Sequence, residues 1–314
     1  MRDSDMGRWT HPATILVATD LSDLDHLMPF ALKEAGDTGA RLILLHVLSS
    51  TAVITADAAG MPYYDTVGAL EIAEQMLRPW CEVAARRGIR CDALVREGHP
   101  THQIAAAVRQ FQVDRVLLGT RSRSKIGKLL IGSVAEQVLR SVNLPVMTVG
   151  PEAHLSVGGD EERVVLHATT LRETSRPSAA LACQIAAAQK AKLVLLHVLP
   201  HIAEMERKGM PTGFDSTAML ELRILAEETG ASCCSTVEPV VAHGNPTIEI
   251  LALASERHAS LIVLGATPRS AFENLTRDRT VYRVLAHALC PVLTMREPST
   301  VTEEVRAETT AAHR

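Results

Sequence analysis

The sequence predicts an α/β fold, two tandem doubly wound domains each built on a parallel sheet, and three observations carry that prediction. Short apolar runs alternate with stretches whose apolar residues recur at helical spacing, the mark of βαβ crossovers feeding a parallel sheet covered on both faces. The whole alternation occurs twice along the chain. The apolar content is aliphatic, with 46% hydrophobic but only 3% aromatic residues, which suits helices packed on a sheet.

In the first copy Ile15 to Thr19 is a continuous apolar run and reads as a buried strand. Leu24, Leu27, Met28, Ala31 and Ala35 then fall at helical spacing, with Asp20-Leu-Ser-Asp23 supplying N-cap residues. Leu42 to Val47 is the next strand. Leu70, Ala73, Leu77, Cys81 and Ala84 mark a second helical face that stops near Gly88. Arg90 to Val95 reads as a third strand, Ile104, Ala105 and Val108 as a third helix, and Val116 to Leu118 as a fourth strand. Ser133 is expected to cap a helix carrying Val134, Val138 and Val142, and Val146 to Val149 closes the copy as a fifth strand.

The second copy follows by register. Thr14 to Asp20 corresponds to Val164 to Thr170 at an offset of 150, and Ala40 to Val47, after Gly39, matches Ala191 to Val198 at 151. After one shorter loop the offset holds at 146 for Gly98-His-Pro-Thr101 against Gly244-Asn-Pro-Thr247, for Gly119 against Gly265, and for Leu144 to Thr148 against Cys290 to Thr294. Five matched landmarks with only two changes of offset define a true internal repeat. The expected domains are 13–150 and 163–296, joined by a polar, Gly-bearing linker, with 1–12 and 297–314 as flexible tails. Ser49 to Tyr64 and His201 to Asp215 sit at equivalent points and read as long loops.

At 314 residues the chain can bury two ordinary cores. A formal charge of −4 argues against general attraction to nucleic acid, so an anion site must be built locally. No apolar run is long enough for a transmembrane helix and the first residues carry acids in place of an apolar leader, so no membrane association and a cytoplasmic location are expected. The six cysteines lack CxxC spacing and read as thiols in a reducing compartment, with Cys233 and Cys234 as strand residues. His46 and His197 end equivalent strands and read as packed or hydrogen-bonded histidines. His99 and His243, beside the Gly-x-Pro turns, are better placed to meet a ligand. No HExxH or Ser-His-Asp pattern points to metal or triad chemistry.

The chemistry concentrates in two loops. Gly119 to Ser133 carries Arg121, Arg123, Lys125 and Lys128 without an acid, a local charge of +4. Gly119 lets a ligand approach the backbone, and Gly132-Ser133 opens a helix whose free N–H groups and positive dipole end attract phosphate. The equivalent Gly265 to Arg279 has Arg269, Arg277 and Arg279 against Glu273 and Asp278, leaving +1. There Pro268 removes an N–H donor, Asp278 stands in place of Gly132, and Thr170 replaces Asp20. Neither a Walker A loop nor a GxGxxG follows the first strand.

Ile15 to Asp23, Leu44-Leu-His-Val47, Gly98-x-Pro100, Gly119-x2-Ser122-x9-Gly132-Ser133 and Leu144-Pro-Val146 closely resemble the universal stress protein family, and the whole chain resembles a tandem member of it. The resemblance implies the adenine-nucleotide α-hydrolase-like fold and an ATP site in the first domain. Ala18, Thr19 and Asp20 would then lie along the nucleoside, and Val47 would contact adenine through its backbone. Gly119, Arg121, Ser122, Gly132, Ser133 and Val134 would hold the phosphates, with Leu118 also in the nucleotide site and Mg2+ as the phosphates' companion ion. Ser122 departs from the family motif, which has a second Gly there. In the second domain the resemblance implies the fold and not ATP binding. It also implies pairing of last strands, Val146 to Val149 with Val292 to Met295, as an intramolecular pseudo-dimer, and a further homodimer. The implied function is a regulatory or sensory stress-response protein with at most slow ATP hydrolysis. A non-ATP-binding interaction scaffold of the same family is the alternative. An adenylylating enzyme would need a PP-loop SGGxDS, which the sequence lacks.

Overall fold

The computed structural model describes residues 3–49, 55–56, 62–63, 66–120, 131–155, 163–201, 214–233, 236–266 and 277–297. The chain forms two compact units, Met1–Pro151 and Glu152–Arg314, one for each copy of the repeat.

The first unit runs α1 (Asp3–Thr10), β1 (Thr14–Thr19), α2 (Leu24–Thr38), β2 (Arg41–Leu48), a short antiparallel pair β3 (Thr55–Ala56) and β4 (Pro62–Tyr63), α3 (Thr66–Arg86), β5 (Cys91–Glu97), α4 (Pro100–Gln110), β6 (Arg115–Gly119), α5 (Ser133–Ser141) and β7 (Val146–Val149). Its strands lie in the order β5-β2-β1-β6-β7, all parallel. Because helices cover both faces, Ile15, Leu16 and Val17 are all fully buried, as the unbroken apolar run requires. One core cluster joins Leu16, Ile43, Val116, Val138 and Val146, so the strands and α5 share a single apolar body.

The amino-terminal residues depart from the expected flexible tail. Residues 3 to 10 are helical, and long-range polar contacts hold them in place. Arg8 pairs with Asp114 at 2.5 Å, the Arg115 guanidinium donates to the Trp9 carbonyl, and Met6 and Thr10 are buried. Asp114 in turn accepts the Ala13 and Thr14 N–H groups at 2.9 and 3.1 Å, fixing the entry to β1.

The second unit repeats the plan with β8 (Val164–Ala168), a 3-10 turn (Glu173–Ser175), α6 (Arg176–Ala188), β9 (Lys192–Leu199), α7 (Phe214–Cys233), β10 (Val237–His243), α8 (Pro246–Glu256), β11 (Leu261–Ala266), α9 (Arg277–His287) and β12 (Val292–Arg296). Its parallel order is β10-β9-β8-β11-β12. Cys233 is the last residue of α7 and not a strand residue, while Cys234 lies outside the described residues. The Gly-x-Pro landmark acquires a cause. Gly98 and Gly244 have φ of 123° and 144°, which L side chains avoid, and their N–H groups close on Leu48 and Leu199 carbonyls at 2.9 Å. Among the described residues no helix is long and apolar enough to cross a membrane.

Candidate functional site

In the first unit the strand order reverses between β1 and β6, which pair in parallel with Ala18 opposite Leu118. Chain leaving β1 turns toward α2 and chain leaving β6 turns the other way, opening a crevice at the carboxyl ends of the strands. Thr19-Asp20 and Gly119-Thr120 therefore emerge side by side.

The β1–α2 turn is fixed by its own side chains. The Thr19 hydroxyl donates to Asp23 Oδ1 at 2.6 Å and accepts the Leu21 N–H at 2.9 Å. Asp20 Oδ1 accepts both the N–H and the hydroxyl of Ser22, at 2.9 and 2.6 Å. These bonds hold Leu21 at φ 72°, a left-handed conformation that costs a branched side chain about 1–2 kcal/mol. Leu171 repeats the conformation in the second unit, at φ 59°, with its N–H on the Thr169 hydroxyl. Asp20 itself is exposed.

Asp23, which the sequence reading treated only as a cap, turns inward. Burial pushes its carboxyl above the usual carboxylate range, against the opposing effect of the Thr19 hydroxyl. A Cβ on Gly119 would lie 2.5 Å from Asp23 Oδ2. The missing side chain of Gly119 thus makes room for this carboxylate, a role distinct from the ligand approach expected of it.

The helix at the other wall starts one residue earlier than a Ser133 cap would give. Gly132 is the extended N-cap of α5, its carbonyl accepting from Glu136 N–H, and Ser133 is the first helical residue. Among the described residues no side chain caps this end, which leaves the first-turn N–H groups, including those of Ser133 and Val134, facing where an anion could sit. Gly132 N–H reaches the Thr120 carbonyl at 3.4 Å, and the Thr120 hydroxyl beside it is buried without a hydrogen-bond partner among the described residues. Leu118 and Val47 are buried in the core cluster, with Ala18 and Val134 packed against it. Leu118 and Val47 can therefore serve a ligand chiefly through their backbone, whereas Ala18 and Val134 are only partly buried. Arg121 and Ser122 lie outside the described residues.

His46 answers its expectation: Nδ1–H donates to the Thr19 carbonyl at 3.0 Å, tying β2 to the end of β1, and His197 does the same to Thr169 at 2.9 Å. His99 precedes α4, its ring tilted against that of His102 with centroids 5.0 Å apart. Among the described residues no cluster of three His, Cys, Asp or Glu side chains could hold a metal.

The second crevice is built differently at its centre. Glu297, assigned by the sequence to a tail, is buried after β12, with its N–H on the Ala266 carbonyl at 2.8 Å. Its carboxylate accepts from Ser178 at 2.9 Å and fills the space that a Cβ on Gly265 would need. Ser175 Oγ takes the place of a carboxylate beside Thr169, at 3.1 Å. Helix α9 begins at Arg277, so Asp278 lies within its first turn at the position equivalent to Gly132. His243 pairs with Asp215 at 2.8 Å on the neighbouring strand end. Pro268 lies outside the described residues.

Sequence reasoning thus missed Asp23, Thr120 and Glu297 as crevice residues. The Thr19-x3-Asp23 spacing across a strand-to-helix turn was the available signal for the first; Glu297 offered none.

The family model for the universal stress protein family matches residues 13–150 and again 162–296. A universal stress protein of Thermus aquaticus is 32% identical over 140 residues, covering 43% of this chain and 97% of its own. One of Mycolicibacterium smegmatis is 25% identical over 305 residues, covering 90% and 96%. Among solved structures, a universal stress protein from Archaeoglobus fulgidus superimposes with a TM-score of 0.69 at 23% identity, covering 91% of this chain and 97% of that one. A similar protein from Pseudomonas aeruginosa gives 0.61 at 18%, covering 92% and 95%. These structural likenesses establish the tandem α/β fold.

Proposed function

Because the chain belongs to the universal stress protein family, we propose that it is an ATP-binding regulatory protein of the cytoplasm that takes its nucleotide in the crevice of the first unit. The observation that carries this reading is the convergence, at one strand-order reversal, of an exposed Asp20 carboxylate with the uncapped N-terminus of α5. Asp20 Oδ2 accepts from a ribose hydroxyl. The backbone of Ala18, Thr19 and Val47 lines the nucleoside. The phosphates rest on the N–H groups of Ser133 and Val134 and the Ser133 hydroxyl, with Arg121 and Ser122 joining from the basic loop and Gly119 and Leu118 at its base. The buried Thr120 hydroxyl, without a partner among the described residues, supports a polar ligand at this wall. Mg2+, when present, neutralises phosphate charge. No residue is assigned as a catalytic base, and hydrolysis is expected to be slow at most.

Titration calorimetry of ATP into the wild type and Gly132→Asp tests the reading. Asp is a favoured N-cap residue, so the helix survives while a negative charge is set among the phosphate-binding N–H groups. Affinity is expected to fall by about tenfold or more, the effect of roughly 1.4 kcal/mol of lost interaction. Equal affinity in the two proteins would remove the proposed site.

A further inference from the structure

We propose that Cys81 and Cys91 form a reversible thiol–disulfide site in the first unit, oxidised by hydrogen peroxide. Cys81 lies near the end of α3 and Cys91 is the first residue of β5, the edge strand of this unit's sheet. The αβ turn through Gly88 folds the two back on each other until their Sγ atoms are 3.0 Å apart. A disulfide is about 2.05 Å long, so closure needs movement of only about 1 Å.

Both thiols are half-exposed and open to a small oxidant, whereas Cys183 and Cys290 are buried. Burial pushes the Cys290 thiol up to about 12, and Cys183 donates to the Thr229 carbonyl at 3.3 Å. The pair is chemically unequal. Hydrogen bonding between the two sulfurs holds the Cys81 thiol below its ordinary range and raises that of Cys91, with burial adding to the rise. Cys81 is therefore the attacking thiolate and Cys91 the resolving thiol.

The chemistry balances in two displacements. Cys81 thiolate attacks one peroxide oxygen, the O–O bond breaks, and the departing hydroxide takes a proton to leave as water and a Cys81 sulfenic acid. Cys91, losing its proton, then attacks the Cys81 sulfur, forming the S–S bond and releasing a second water. Two thiols are oxidised by two electrons and one peroxide is reduced.

The site stands apart from the proposed nucleotide crevice. Cys91 pairs with Leu42 at the amino end of β2, and five residues separate Leu42 from Val47 at the other end, about 16 Å along the strand. Failure of one proposal therefore does not decide the other.

The test treats the full chain with hydrogen peroxide, blocks remaining thiols by alkylation and digests with trypsin without reduction. Cleavage after Arg41, Arg86, Arg90 and Arg96, with Arg78 protected by Pro79, puts the two cysteines on separate peptides, 42–86 and 91–96. The expected product is these peptides joined, released by dithiothreitol, with most of both cysteines recovered in that form. In Cys91→Ser, peroxide is expected to leave a Cys81 sulfenic acid that dimedone labels, while the wild type resists the label. Recovery of both wild-type cysteines as alkylated thiols, their linkage to other cysteines, or an unlabelled Cys81 in the variant would overturn the proposal.

Discussion

His167 is the residue least suited to its surroundings. It is fully buried in β8, where its Nδ1–H donates to the Val263 carbonyl at 2.9 Å and its Nε2 has no partner among the described residues. Burial pushes its pKa down from 6.5 to about 4. The folded chain therefore holds a neutral ring that the unfolded chain would protonate. Because the folded value is the depressed one, the stability this neutral ring allows is intact above pH 6.5 and is lost as the pH falls toward 4, by roughly 3 kcal/mol in the limit. Val17 fills the matching position in the first copy and is fully buried. His167→Val should thus flatten the acid side of the stability curve. Urea unfolding at pH 7.5 and pH 5 measures it: the wild type is expected to lose more stability between the two than the variant, and parallel losses would mean that another group controls the acid limb.

At the scale of elements, the order of strands and helices was legible because each apolar run or stripe is a local signal. What remained hidden depends on contacts between distant residues. Helix α1 looked like a tail because its eight residues carry Asp3, Asp5 and Arg8. Its order comes from Asp114 and Arg115, about a hundred positions away. Glu297 escaped for the same reason, and the Cys81–Cys91 contact became visible only once a helix and a strand were placed against each other. Arg115, the first residue of β6, is buried against Glu34 of α2. The same place in the second copy holds Leu261, also buried. A buried pair of this kind is costly to break but replaceable as a unit. Glu34→Leu alone, leaving the guanidinium without its partner, should destabilise the chain by about 3–5 kcal/mol. Glu34→Leu with Arg115→Leu should cost much less. Chemical denaturation of the three proteins decides between this coupling and simple additivity, which would show the two charges acting independently.

At the scale of the molecule, the repeat preserved the sheet twice and the crevice chemistry once. The sequence made that asymmetry visible through Thr170 and Asp278, but it located the difference in the loop alone. The structure adds a second, deeper difference beneath the loop. In the first unit the carboxylate against Gly119 comes from Asp23, at the entrance to α2, and Asp20 beside it stays exposed. In the second, the carboxylate against Gly265 comes from Glu297 after the last strand, and serines occupy the entrance to α6. Since a carboxylate lies against the loop glycine in both units, the charge that sets them apart is Asp278, in the first turn of α9 at the position Gly132 holds in the first copy. ATP should therefore bind once per chain, and its effect on amide exchange should be one-sided. A ligand at a hundred times its Kd stabilises the state that binds it by about 2.7 kcal/mol, enough to slow local opening roughly a hundredfold. Hydrogen exchange with and without ATP is expected to show that protection in peptides covering Ala18 to Leu21, Leu118 to Thr120 and Ile131 to Glu136. Peptides covering Ala168 to Leu171, Leu264 to Ala266 and Arg277 to Arg283 should exchange unchanged. Matching protection in both sets, or a calorimetric stoichiometry of two, would mean that Asp278 does not exclude phosphate and that the second crevice also takes the nucleotide.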